Sequence, residues 1–491
     1  MSRTAAKLLF GAALGAAGLF GWALLRPSNA PRPVLVYCGA AMRMPVDAAA
    51  KAYEAETGVR IELQYGGSQT LLANAEVSKT GDLFLPGDDS YLRKAEEKGL
   101  LEESIPLGRM SAVLAVRKEN PKKIAALADL FRPDVRVVQS NPDAAAIGKL
   151  TRQALTKAGR WEALKEKTAV FKPTVHDVGN DLKLDAADAG FLWDAVLGQY
   201  PELARVEIPE LAGAEATISV GVLRSSKDPA GALRFARWLA SKDRGLKEFE
   251  KAGFRTARGD AWEDRPKLLL HAGAMLRPAI EPTIVEFEAR EGVEVTRVYN
   301  GCGILVAGMK SGARPDLYFA CDEQFMKDVQ GLFDPAAAVS LNQLVILVKK
   351  GNPHGVKRLR DLAKPGLRVG VGHEKQCALG ALTQETLKFD GTLGAVMKNV
   401  VVQVPAGDML VNQLKAGGLD AAVAYVSNAA SSGDVLEAYP VDLPCALATQ
   451  PVATAKDSPR QELARRLVAA FTSARSKERF LSEGFRWKTT P

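Results

Sequence analysis

Two stretches carry the residue types from which chemistry is usually made. VYNGCGI (Val298 to Ile304) holds Cys302 just after a strand-like run, and GHEKQCALG (Gly372 to Gly380) holds His373 and Cys377. His271 opens an earlier turn, and Cys321 precedes Asp322 at the end of another apolar run. Thiolate and imidazole in one cleft select a soft metal such as Cu(I) or Zn(II). Cys302, His373 and Cys377 are therefore a candidate metal set, although H-x₃-C is a weak pattern and no C-x₂-C exists. The plainer reading is that small cysteines replace Ser or Ala and that His373 is a solvated loop residue. A Cys302–Cys377 disulfide is a third reading. An enzyme would need Cys302 activated at a helix N-terminus with His271 or His373 as its base. No third orienting group accompanies them, so the expectation is a protein that is not an enzyme and carries no cofactor.

The position of Cys302 has a precedent in the same chain. QYGGSQT (Gln64 to Thr70) leaves a strand-like run through two glycines and places Ser68 where Cys302 stands later. The match is wider than the turn. VYCGAAMRMPVDAAAKAYEAETGVRIELQYGGSQ (from Val36) aligns without a gap to LHAGAMLRPAIEPTIVEFEAREGVEVTRVYNGCG (from Leu270). Gly39 meets Gly273, Glu54-Ala55 meets Glu288-Ala289, and Gly58-Val59 meets Gly292-Val293. The register persists to GDLFLPGDD against PDLYFACDE, where Asp82 meets Asp316, and FEKAGFR later meets FLSEGFR. A period of about half the chain means a duplicated domain rather than a solenoid. The joint falls near Gly259 to Lys267, giving expected domains of residues 31–262 and 263–491.

The totals are those of a globular chain of two or more domains. At 491 residues the chain exceeds one ordinary core. Net charge is +8, but Lys and Arg are dispersed and no basic block carries interleaved aromatics, which argues against nucleic acid. Five cysteines show no disulfide framework. Residues 1–30 differ from the rest: Arg3 and Lys7 precede an uncharged stretch from Leu8 to Leu25, followed by a Pro-rich spacer. We read an uncleaved N-terminal membrane helix, with a cleaved signal peptide as the alternative. Either leaves the body outside the cytoplasm.

Each copy reads as alternating strand and helix: Val34–Tyr37, a helix with Ala49 and Tyr53 on its apolar stripe, Arg60–Tyr65, then the glycine turn and another helix. That alternation predicts an open, mainly parallel α/β sheet. Ligands on such sheets sit beyond the strand C-termini, where helices begin. Helix N-termini offer unpaired N–H groups and partial positive charge, so paired turns at Gly39-Ala40-Ala41 and Gly66-Gly67-Ser68 suit one oxyanion without Lys or Arg. Tight strand–helix turns with a serine cap are the plainer alternative.

The small-residue first turn, ETGV, the GGS turn, and GDLFLPGDD followed by AEEKGLL resemble periplasmic solute-binding proteins of the molybdate/tungstate type, the type II class. The resemblance spans residues 33–257 and 268–487. It implies two tandem type II domains, each of two doubly wound α/β lobes joined by crossover strands that close on a ligand. It also implies an ABC permease as partner. For the first copy, it implies oxyanion contacts at Ala41 and Ser68, backbone donors near Ile147 and Val178, and Trp193 where the family has a Tyr hydroxyl. For the second copy, the matching positions are Met275, Cys302, Leu379, Met409 and Tyr425. The first copy keeps the Ser and loses the Tyr; the second does the reverse. The reading from sequence is therefore oxyanion capture for transport. Its alternatives are a membrane-tethered sensor or scaffold with degenerate modules, and soft-metal binding by the second copy.

Overall fold

A computed structural model describes residues 32–488. The membrane-helix reading of residues 8–25 lies outside them. Among the described residues, no helix is long and apolar enough to cross a membrane. By contacts the chain forms two units. One runs to Lys227 and includes Glu248–Arg255; the other contains Asp228–Lys247 and the residues from Thr256 onward.

The first unit is built around a strand path in the order Ile61–Gly66, Val34–Gly39, Leu83–Leu85, Glu215–Leu223, Leu101–Arg117, Ala189–Trp193, Val137–Ser140, Thr168–Lys172. The second repeats the order with Glu294–Asn300, Lys267–Gly273, Leu317–Phe319, Leu447–Thr454, Ala337–Lys349, Ala421–Tyr425, Val369–Gly372, Val400–Val404. The sheets are mixed, which corrects the mainly parallel expectation. Strands joined by helices pair in parallel. The long crossover strand Leu101–Arg117 instead pairs antiparallel on both sides. Up to Ser111 it joins the first lobe opposite Glu215–Leu223, and from Ala112 it joins the second lobe opposite Ala189–Trp193. Each unit is thus two lobes strung on two strands.

The aligned sequence pairs have structural causes. Helix Arg43–Thr57 buries Val46, Ala49, Ala50 and Tyr53 on one face, and Arg277–Glu291 buries Ala279, Ile280, Thr283, Ile284 and Phe287. Both helices stop at a glycine in the left-handed region, Gly58 at φ 72° and Gly292 at φ 65°. This is the usual helix C-terminal device, because a Cβ is disfavoured there. The matched aspartates tie strands together. Asp82 accepts from the Leu35 N–H at 2.8 Å and Asp316 from the Leu269 N–H at 2.7 Å. Their second oxygens accept from Ser226 and Ser458, each at 2.6 Å.

Candidate functional site

In the first unit, four chain turns meet where the two lobes face each other. The first lobe contributes Gly39-Ala40-Ala41, ahead of helix Arg43–Thr57, and Gly66-Gly67-Ser68, opening helix Ser68–Ser78. The second contributes Ala145-Ala146-Ile147, opening helix Ala146–Lys157, and Thr174-Val175, opening helix Val175–Lys183. Gly87 and the buried Trp193 complete the wall. No Lys, Arg, Asp or Glu lines the cavity. Each helix start carries roughly half a positive charge and unpaired N–H groups. Four starts aimed at one point favour an anion without any cationic side chain.

The cavity is small. The centre of a water-sized sphere can move through about 20 Å³ of it. With the radius of that sphere added, the void equals a ball of about 3 Å radius. One tetrahedral oxyanion is that size; a sugar or amino acid is not.

The second unit repeats the arrangement. Ala274-Met275, Asn300-Gly301, Cys377-Ala378-Leu379 and Pro405-Ala406-Gly407 converge with Cys321, Tyr425 and Asn428 around another cavity of about 20 Å³. Again no charged side chain lines it. The Tyr425 hydroxyl is fully buried and has no hydrogen-bond partner, and burial holds its pKa well above the ordinary value. A buried hydroxyl without a partner costs free energy, of order 1–3 kcal/mol, unless something else fills that role.

Of the residues singled out from sequence, Ala41, Ser68, Ile147 and Trp193 stand in the first cavity wall, and Met275, Leu379 and Tyr425 in the second. Val178 does not reach the wall. It lies a turn into its helix, packed on Gly190, while Thr174 and Val175 face the cavity. Met409 is likewise displaced and 42% exposed, with Ala406 and Gly407 at the wall. The signal for the correct position was present in sequence: Thr174 caps the Asp177 N–H and the Asp177 carboxylate bonds back to the Thr174 N–H. That T-x-x-D capping box fixes the helix start at Val175.

Cys302 lies directly behind the second cavity, fully buried, with its Sγ accepting from the Cys321 N–H at 3.0 Å. Ser68 does the same in the first copy, accepting from the Gly87 N–H at 3.0 Å. Cys377 lines the cavity but His373 does not; the His373 Nδ1 accepts from the Lys375 N–H at 3.2 Å. Among the described residues, no group of three or more His, Cys, Asp or Glu is placed to hold a metal. The set Cys302, His373 and Cys377 is thus not assembled as ligands, because the imidazole belongs to its own loop. All five thiols are free, so no Cys302–Cys377 bridge is present. His271 sits within its strand away from the cavity, its pKa lowered by burial.

The lobes are closed on each other in both copies. Across the first cleft, the Gln69 N–H donates to the Ala144 carbonyl at 3.0 Å and His176 Nε2 bonds to the Ala40 carbonyl at 3.0 Å. Across the second, the Gly303 N–H donates to the Gln376 carbonyl at 3.0 Å. This explains the glycine turns. A Cβ on Gly67 would lie 2.6 Å from the Ala144 oxygen, and one on Gly301 would lie 2.3 Å from the Gln376 oxygen. The glycines are there for the opposite lobe's backbone, in addition to any ligand.

Comparison with known families now has a geometry to meet. The profile of the bacterial extracellular solute-binding proteins matches residues 34–255 and again 268–486. The chain belongs to that family. It does so twice in tandem, each copy with the type II periplasmic-binding fold. Among relatives of this solute-binding protein, a binding protein of Haemophilus influenzae is 29% identical over 225 residues, which is 45% of this chain and 91% of the relative. The molybdate-binding protein ModA of Mycobacterium bovis is 25% identical over 232 residues, 46% of this chain and 86% of the relative. Among solved structures, the periplasmic molybdate-binding protein of Azotobacter vinelandii aligns with 46% of this chain and 100% of its own, at 19% identity and a TM-score of 0.39.

Proposed function

We propose that this solute-binding protein captures a small, fully deprotonated tetrahedral oxyanion of the molybdate or tungstate kind by lobe closure, without chemical conversion. It acts outside the cytoplasm and delivers the anion to an ABC permease. The observation that carries the reading is the convergence of four helix N-termini on a cavity the size of one such ion, with no charged side chain in the wall.

The donor inventory follows from the wall. In the first copy the Ser68 oxygen is occupied as acceptor from Gly87, so its own proton is available to the ligand. Backbone N–H groups at Ala41, Ile147 and Val175, and the Trp193 indole, add further donors. In the second copy the Tyr425 hydroxyl has only the cavity to donate into, beside N–H groups at Met275, Leu379 and Gly407. A wall lacking carboxylates offers no anionic acceptor for a ligand's proton. It therefore favours molybdate, tungstate or sulfate over protonated phosphate. We assign residues 31–262 and 263–491 as the two binding domains.

Titration calorimetry of the full chain with molybdate, tungstate, sulfate and phosphate tests this. Submicromolar binding of molybdate or tungstate, with phosphate at least a hundredfold weaker, is the expected outcome. No heat with any oxyanion and no compaction on ligand addition would leave the sensor or scaffold reading instead.

A further inference from the structure

The two copies differ most where their cavities share a pair of residues. In the first, Ser68 opens its helix and accepts from the N–H of Gly87, which ends the third strand's turn. In the second, both members of that pair are cysteines. Cys302 opens helix Cys302–Lys310 and accepts from the N–H of Cys321, which follows strand Leu317–Phe319. At 3.0 Å this is a close approach for sulfur. Both sulfurs flank Gly273: a Cβ built there would stand 2.0 Å from Cys321 Sγ and 3.0 Å from Cys302 Sγ, so the sulfurs are within about 5 Å of one another. Glycine at 273 is what leaves room for the pair.

We propose that Cys302 and Cys321 form a reversible disulfide that sets the ligand affinity of the second copy. Both thiols belong to the first lobe, so the bridge forms without moving one lobe against the other. It ties the first residue of a cavity-facing helix to the turn after a cavity-facing strand. Cys321 stands in the cavity wall at 5% exposure, so a small oxidant reaches it through the cleft when the lobes part. Burial works against the Cys302 thiolate, yet the hydrogen-bond donors around it, Cys321 foremost, bring its pKa below the ordinary value, while the Cys321 thiol is pushed up. Cys321 is the sulfur an external disulfide meets first, because it stands in the wall, and Cys302, buried behind it, is the sulfur left to attack the mixed disulfide.

The step balances with a small disulfide such as oxidised glutathione. Thiolate exchange puts one glutathione on Cys321 and releases the other as a thiol. Cys302 sulfur then attacks Cys321 sulfur, releases the second glutathione thiol, and closes the S–S bond. The two protein thiols lose two electrons and two protons in all, and both appear on the two glutathiones. Bridging removes the Cys321 S–H from the cavity wall and weakens the sulfur acceptor of the Cys321 N–H. In the first copy, the Ser68–Gly87 pair cannot respond, so it serves as an internal reference.

The full chain is equilibrated in glutathione buffers from reducing to oxidising, alkylated, and mapped by peptide mass spectrometry; the same samples are titrated with molybdate. A single Cys302–Cys321 bridge is expected, together with a fall in one site's affinity of about tenfold or more and no change at the other. Cys302→Ser and Cys321→Gly, which restore the first copy's residues, are each expected to abolish the redox dependence. The bridge map does not need the oxyanion reading; the affinity arm rests on it. If the second copy binds no oxyanion in either state, the proposed ligand fails while the map still decides the bridge. Both thiols remaining alkylatable under oxidising buffer, or bridges found instead to Cys377, would overturn the inference. So would a bridge that leaves both molybdate affinities unchanged.

Discussion

Gly67→Ala isolates lobe closure from every other property of the first copy. Gly67 has φ −69° and ψ 144°, a backbone any residue adopts, so alanine brings no conformational strain. What it brings is a methyl carbon 2.6 Å from the Ala144 oxygen and 3.1 Å from the Pro173 oxygen, both backbone atoms of the opposite lobe. Neither can rotate away, so relief requires the lobes to part by several tenths of an ångström at their contact. Overpacking of this kind costs about 1–3 kcal/mol. That cost falls only on the closed state, so affinity drops by about 5- to 150-fold. An open ligand-free protein escapes the contact, and its melting temperature stays nearly unchanged. Gly198→Ala, away from the wall, is the control, since its Cβ would meet only the Ala195 and Asp194 carbonyl oxygens at 3.6 Å and 4.0 Å. Molybdate calorimetry on full-length protein, with small-angle scattering to follow compaction, reads both quantities. If Gly67→Ala bound with unaltered affinity and closed normally, the inter-lobe account of the glycine turn would be refuted.

Tyr425→Phe removes a buried hydroxyl that has no protein partner. It is expected to raise the ligand-free melting temperature while weakening one site about tenfold, and a parallel fall in both would contradict the ligand role. His176 bridges the lobes of the first copy through Ala40 and has its pKa lowered, mainly by burial. The unfolded chain then binds its proton more readily. Its contribution to stability is present above the ordinary value of 6.5 and is lost as pH falls from there towards the lowered native value. Denaturant titrations from pH 7.5 to 4.5 should show this decline, shallower in His176→Gln; an identical profile in the variant would exclude His176 as its source. His271, also lowered by burial, needs the matching His271→Gln control. Because no charged side chain lines either cavity, raising salt from about 0.05 to 0.5 M is expected to change affinity by less than about threefold. A steep salt dependence would point to Lys or Arg contacts instead.

The sequence by itself determined the duplication and the strand–helix alternation, while the two-lobe plan and the wall positions came through its resemblance to a known family. The copies align without a gap through their first two turns because each aligned residue has a local duty. Gly58 and Gly292 end helices in the left-handed region, and Asp82 and Asp316 hold neighbouring strands. Such duties lie within a few residues or one sheet register, so they leave a readable pattern. Ala41, Ser68, Ile147 and Trp193 rest on the family resemblance: Ala41 lies in the short turn Ala40–Met42, Ser68 opens its helix, Ile147 is the second residue of its helix, and Trp193 ends its strand. Val178 and Met409 stand off the wall because they were placed by counting across loops; the capping box at Thr174 marks the first of those helix starts, and the second, after Ala406, carries no side-chain cap. Only the tertiary structure decided what crosses the cleft. That Gly67 answers to Ala144, that His176 reaches Ala40, and that the Gly303 N–H reaches the Gln376 carbonyl are contacts between segments distant in sequence. Their spacing along the chain carries no trace of them, because they depend on how two lobes close about one small void.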